Sequence, residues 1–254
     1  MSSKNIVRQV CTDIVYGPVQ SRRFGISLGL NISGSGKYCS FNCIYCFRGK
    51  NDGTPDDAYF KDNLPSVESV LDSLETWIKK PHEKIDDITF AGNAEPTNHP
   101  DFAEIVERVI DLRNRCLKDV EISVLTNGTG LIPRLNKRYQ EVKGALEKVE
   151  NPCLKLDSGV PETWRKVSRP YADITFSEWF DAVRILKSPI IQTILMTGIV
   201  NNTTDEELAR LKECYEILRP RKVHILNINK PTAVSGVYPV GENEFEKAEK
   251  FLCN

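Results

Sequence analysis

Ile85-Asp86-Asp87-Ile88-Thr89-Phe90-Ala91 is a short apolar run rich in β-branched residues. Behind it, Phe102, Ile105, Val106, Val109 and Ile110 recur at helical spacing, and Val120-Glu121-Ile122-Ser123-Val124-Leu125 returns to strand character. Strand, amphipathic helix and strand in that order make a parallel βαβ unit. The same unit extends outward from this stretch. Apolar runs at 26–32, 153–157, 190–196 and 223–228 read as buried strands, and Val67, Val70, Leu71, Leu74 and Ile78 share one helical face. Further helices fit 133–148, 177–187, 204–218 and 242–252. Asp101 and Ser177 read as helix N-terminal residues, and Pro65 and Pro161 mark entries or turns. Six strand–helix units predict an α/β fold, a partial (β/α)6 barrel, with an open doubly wound sheet as the alternative. Either architecture places the site at the C-terminal ends of the strands. One domain over 1–254 is expected: a lead-in at 1–25, six units over 26–232 and a terminal helix over 233–254.

The composition is that of a globular chain, with 40% hydrophobic and 27% charged residues, which excludes disorder and fibrous structure. Lys and Arg number 34 against 35 Asp and Glu, so the net charge of −1 offers no overall attraction for nucleic acid or anionic membrane. No apolar run approaches the ~18 residues of a membrane span, and no apolar stretch follows the first residues as in a secretory signal. A cytoplasmic location is the expectation. The eight cysteines are too sparse for a disulfide scaffold.

Three of them lie together in Tyr38-Cys39-Ser40-Phe41-Asn42-Cys43-Ile44-Tyr45-Cys46, on the loop after the first expected strand. Thiolates at this spacing can meet at one soft metal centre, and three suit iron–sulfur chemistry. A zinc knuckle completed by a distant ligand, or three incidental cysteines, are the bland alternatives. Cys116, Cys153, Cys214 and Cys253 read as isolated residues, with Cys116 and Cys153 as small buried hydrophobes.

The C-x3-C-x2-C loop in a six-unit α/β chain resembles the radical S-adenosylmethionine (SAM) superfamily. The stretch Val15-Tyr16-Gly17-Pro18-Val19-Gln20-Ser21-Arg22-Arg23-Phe24-Gly25, with Ser27-Leu28-Gly29, is similar to the subgroup of wyosine-type tRNA synthases and their single-cluster relatives. The resemblance implies a [4Fe–4S] cluster on Cys39, Cys43 and Cys46, with SAM on the remaining iron. It further implies reductive cleavage to methionine and a 5′-deoxyadenosyl radical, which takes hydrogen from an unidentified substrate. That substrate is a small molecule, a peptide or a nucleic acid. An external donor such as flavodoxin or ferredoxin supplies the electron, and a partner subunit or homodimer covers the barrel mouth.

The other strand ends fit the same implication. Tyr45 takes the position beside adenine. Gly92, Asn93 and Glu95 take that of the segment around the SAM ammonium, although the second Gly of that segment is absent here. Asn127 points toward the ribose or carboxylate, and Gly198 and Ile199 match the segment whose backbone touches adenine. Asn202 or Thr203 also reads as a cap for the following helix. Lys155 and Asp157 share a side by strand alternation; they are either a structural pair or functional groups. Asp157 is counted with the SAM contacts, and Lys155, Asp157 and Lys230 with substrate handling. Only Cys11 precedes the triplet, a departure from wyosine-type enzymes with a second cluster on upstream cysteines. A tRNA-modifying enzyme stays the alternative, testable by a basic stripe around Lys137, Arg138 and Lys143; a non-catalytic iron–sulfur or zinc module is the alternative of another class. His82, His99 and His224 read as structural, with His99 close behind Glu95.

Overall fold

The computed structural model describes residues 11–253. The chain opens with an antiparallel hairpin, β1 (Val15–Gln20) and β2 (Ile26–Leu30). It continues through α1 (Ala58–Asp62), α2 (Val67–Ile78), β3 (Asp87–Phe90), α3 (Phe102–Cys116) and β4 (Glu121–Thr126). Then follow α4 (Tyr139–Lys148), β5 (Asn151–Lys155), α5 (Pro161–Ser168), α6 (Phe176–Val183) and β6 (Ile190–Leu195). The last elements are β7 (Thr197–Gly198), α7 (Asp205–Leu218), β8 (Lys222–Asn227), β9 (Val237–Tyr238) and α8 (Glu242–Cys253).

Six parallel strands stand side by side in the order β2-β3-β4-β5-β6-β8, with β1 added at one edge. These are the six expected strands, and the sheet does not close, as a partial barrel requires. β1 was not expected, because Pro18 interrupts the run. On an edge strand Pro18 is tolerated, and the register shifts between Tyr16 and Val19 around it. Side chains bridge the open side instead of a strand pair. Arg22 Nη1 donates to the Asn227 carbonyl (2.9 Å), and the Phe24 ring meets His224 edge-on at 5.6 Å.

The main core lies between the sheet and the helices. Phe90 packs edge-on against Phe102, and Trp164, Phe176 and Trp179 cluster beside Leu154 and Val183. A second, smaller apolar cluster joins Ile44, Val167, Ile194, Met196, Val200, Leu226 and Val237. It lies behind the cysteine loop.

Local chemistry moved several boundaries. The helix expected from 133 begins at Tyr139, because Asn136 holds a turn ahead of it, accepting from Arg138 N–H and donating to the Gly130 carbonyl. Thr175, not Ser177, caps α6, its hydroxyl accepting from Glu178 N–H. Thr204 caps α7, so neither Asn202 nor Thr203 fills that role. Cys116 is exposed at the end of α3 instead of buried, whereas Cys153 is buried in β5. Among the described residues no helix is long and apolar enough to cross a membrane.

Candidate active site

The cysteine loop leaves β2 and lies across the mouth of the sheet, tied down on both sides. Asn51 Nδ2 donates to the Cys39 carbonyl (2.6 Å), and buried Lys37 reaches the Gly49 carbonyl (2.5 Å). On the far side Asn42 N–H donates to Ser168 O (3.0 Å) and Ile44 N–H to Val167 O (3.0 Å). Cys46 N–H turns back to Cys43 O (3.1 Å). The three thiols are therefore held by a fixed backbone.

All three are free. Burial pushes the Cys39 thiol far up, with Cys43 adding to the shift; burial pushes Cys43 up to about 11, with Cys46 adding and the Lys155 cation opposing. A bound cationic centre reverses that balance by favouring the thiolates. Among the described residues no three His, Cys, Asp or Glu side chains gather around a single-ion site. A zinc ion needs its thiolates around one point at about 2.3 Å, whereas cluster ligands bind different irons. Three thiols on one braced loop are a soft donor set of the kind that iron–sulfur clusters take.

Around the loop, each strand end contributes a polar residue, and most are committed to the chain itself. Glu95 is buried after β3 and accepts from Thr97 N–H, Thr97 Oγ1, Thr126 Oγ1 and Asn127 N–H. One carboxylate so joins the ends of β3 and β4. Burial raises its pKa, against the pull of those donors. Asn93 spans Cys11 and the Gly34 carbonyl, using Oδ1 for Cys11 N–H and Nδ2 for both carbonyls. Gly92 is required beside it: a Cβ there would stand 2.1 Å from Asn31 Oδ1. Asn127 aims its amide at the cysteine loop, donating to Ser40 Oγ (3.0 Å) with Cys39 Sγ at 3.7 Å.

Lys155 and Asp157 form a close pair (2.7 Å) at the end of β5. Asp157 also accepts from Tyr45 OH (2.8 Å) and from Ile194 N–H (2.9 Å), and Lys155 donates to Ser168 Oγ (2.9 Å). Burial alone would depress the lysine, but the adjoining carboxylate holds its pKa above the ordinary value. Lys155 therefore places a positive charge beside Cys43. Tyr45 lies under that charge, its ring 5.6 Å from Lys155 Nζ. Lys230 is not part of this group; it is exposed beyond β8 and makes no ion pair among the described residues.

The segment after β6 folds back as a small sheet. Gly198 (φ +106°) lies against Gly236, whose carbonyl accepts from Ile199 N–H (2.9 Å), so the Ile199 amide is already engaged while its side chain is 56% exposed. Asn202 fixes the turn by accepting from Met196 N–H and donating to Asp157 O and Ile194 O. His99 is structural: its Nδ1 accepts from Asp101 N–H while Nε2 meets the Pro65 carbonyl. Of the basic residues on and before α4, Arg138 pairs with Glu141 and Lys143 with Glu147.

Two residues were not singled out from sequence. Tyr16 leans over Gly29, where a Cβ would fall 2.1 Å from its ring, and its hydroxyl donates to Ala91 O. Arg23 enters from the hairpin at the opposite end of the barrel, within electrostatic reach of Asp87, Cys153, Tyr16 and Tyr45. Its Nε is buried without a hydrogen-bond partner. Both lie inside the stretch 15–25, so the signal was present as a motif without a role.

The family model of the radical SAM superfamily matches residues 35–214. A GTPase Obg of Brachyspira hyodysenteriae is 27% identical over 246 residues, covering 95% of this chain and 34% of that protein. A UPF0026 protein of Methanocaldococcus jannaschii is 29% identical over 231 residues, covering 89% and 67% respectively. Among solved structures, a radical SAM methyltransferase from Sphaerobacter thermophilus aligns with a TM-score of 0.64 at 13% identity, over 89% of this chain and 63% of that one. TYW1 with a lysine-pyruvate adduct bound gives a TM-score of 0.56 at 16% identity, over 90% and 74%. At these identities the structural likeness is one of fold. The chain spans about a third of the Obg relative and less than two thirds of the methyltransferase. With the family match running from just before the cysteine triplet into α7, on a partial barrel with that triplet at its mouth, this chain belongs to the radical SAM superfamily.

Proposed function

We propose that Cys39, Cys43 and Cys46 hold a [4Fe–4S] cluster and that SAM binds against it, among Tyr45, Gly92, Asn93, Glu95, Asn127, Asp157, Gly198 and Ile199. When bound, the pair supplies reductive cleavage of the sulfonium to methionine and a 5′-deoxyadenosyl radical that takes hydrogen from the substrate. The observation that carries this reading is the triplet itself: three free thiols on one braced loop at the mouth of the sheet.

The chain's own residues have definite tasks in this reading. Lys155 stabilises the thiolate form at Cys43, and Asp157 keeps Lys155 charged and the Tyr45 ring in place. Glu95, Asn93 and Asn127 act as positioning residues that hold three loops in register around the place where the methionyl end of SAM would bind. The lumen beneath is polar, with Tyr16, Arg23, Asp87, Thr89 and Ser123 toward one another. A polar substrate suits it, with Arg23 on the lumen side and Lys230 at the rim as contacts. The tRNA alternative gains nothing from α4, where Arg138 and Lys143 face acids of their own helix.

Anaerobic reconstitution tests the assignment directly. About four irons and four sulfides per chain are expected, with a reduced-cluster EPR signal that changes on adding SAM. Cys43→Ala should lose both. Full iron loading of Cys43→Ala, or stoichiometric zinc in the parent, would remove the proposal.

A further inference from the structure

The outer side of the cysteine loop carries a surface that the proposed SAM site reaches only at Ile199. The last turn of α5 is hydrogen-bonded to the backbone on both sides of Cys43, through Asn42 N–H to Ser168 O and Arg169 O and through Ile44 N–H to Val167 O. From this turn Arg165, Lys166 and Arg169 all project into solvent. Together with Ile44, Ile199, Val200 and Glu162 they line an open cleft of about 520 Å³. Its floor is the top of the small apolar cluster that includes Ile44, Val167, Val200 and Val237. Ile199 and Tyr238 stand beside it, 56% and 57% exposed. Two acids accompany the three cations: Glu162, and Asp173, which meets Arg165 at 3.7 Å while itself fully exposed. That pair is solvent-screened and easily exchanged for another carboxylate.

An exposed apolar centre with a charged rim is the composition of a protein contact, and short-lived redox encounters use small ones. The rim is cationic, so the complementary partner is acidic, and its charge would steer the encounter. Position adds the function. A protein seated here lies one residue from Cys43 and two from Cys46, on the face of the loop turned away from the lumen.

Resting on the cluster assignment above, we propose that the Arg165–Lys166–Arg169 face receives an acidic one-electron carrier protein. The carrier gives up one electron and leaves oxidised by one; the cluster on Cys39, Cys43 and Cys46 gains it. No proton or covalent bond is exchanged at this surface.

The test uses reconstituted protein, flavodoxin as the probe and two readouts. In the triple variant Arg165→Glu, Lys166→Glu, Arg169→Glu, flavodoxin affinity by fluorescence anisotropy should fall at least about tenfold. Flavodoxin-driven 5′-deoxyadenosine formation should fall with it, while dithionite-driven formation stays within about twofold of the parent. Parent affinity should also weaken steeply as salt rises, since the rim charges are exposed. Unchanged affinity and unchanged flavodoxin-driven turnover in the variant would overturn the proposal. So would equal loss with both reductants at parental affinity. Should the triple variant lose its fold, Lys166→Glu alone and the salt series on the parent carry the same comparison. Absence of 5′-deoxyadenosine from the parent with dithionite would instead strike the cluster reading, leaving the binding arm to decide this one.

Discussion

The two ends of the barrel treat polar groups in opposite ways. At the mouth, Glu95, Asn93, Asn127, Asn202 and Asp157 are buried, and each satisfies several donors or acceptors from different strand ends. At the floor, Arg23 Nε and His224 Nε2 are buried without partners, and a cleft of about 550 Å³ is lined by Arg23, Lys84, Asp86, Glu121, Arg221 and His224. Asp87 lies just inside, hydrogen-bonded to Ser123 and Thr89 and not to the arginine. The difference teaches where precision is needed. The loops to which the cluster and SAM are assigned under the proposed function are bound by saturated networks, while the floor tolerates charge that is only loosely compensated.

Breaking the mouth network should have the largest effect. Glu95→Ala strands four donors in a dry site, and a loss of at least about 3 kcal/mol in chemical denaturation is expected. Parental stability in that variant would mean that the β3 and β4 ends do not depend on the carboxylate. At the floor the expected effects are smaller and depend on pH. Burial raises the Asp87 carboxyl to about 6 from an ordinary 3.8. Between those values it is protonated when folded and ionised when unfolded, so its contribution to stability is full below about pH 4 and is lost as pH rises through 6. Asp87→Asn should therefore gain about 2–3 kcal/mol over the parent between pH 4 and 7, read from denaturation midpoints across that range.

His224 runs the other way. Burial, with Lys222 and Arg23 adding to it, lowers its pKa to about 4, so its contribution is present above 6.5 and is lost as pH falls toward 4. His224→Gln should flatten that acid-side loss, by less than Asp87→Asn changes its own slope, because His224 is only partly buried whereas Asp87 is fully buried. The smallest effect belongs to Arg23→Met, whose melting temperature should equal or slightly exceed the parent's, since a poorly paired buried cation is removed. A large loss of stability there would erase the distinction between the two ends.

The six parallel strands, most helices and the cysteine loop were legible in sequence because each rests on a local signal: apolar periodicity or residue spacing. β1 was not, since Pro18 masks its run and only the edge position makes it a strand. The Lys155–Asp157 pair was foreseeable from alternation, but its link to Tyr45 joins residues far apart in the chain. The same holds for Glu95, whose donors come from two strand ends, and for Arg23, whose place in the lumen depends on the hairpin leaning across the open side. Caps were misplaced by one or two residues because several Ser, Thr and Asn neighbours compete, and tertiary hydrogen bonds decide among them, as at Asn202.

The most direct test of the mouth as the reactive end is anaerobic SAM cleavage with dithionite, followed by chromatography for 5′-deoxyadenosine. The account predicts 5′-deoxyadenosine and methionine in equal amounts from the reconstituted parent, and none from Cys39→Ala, Cys43→Ala or Cys46→Ala. Cleavage that survives loss of any of the three cysteines, or a cluster-loaded parent that leaves SAM intact, would contradict it.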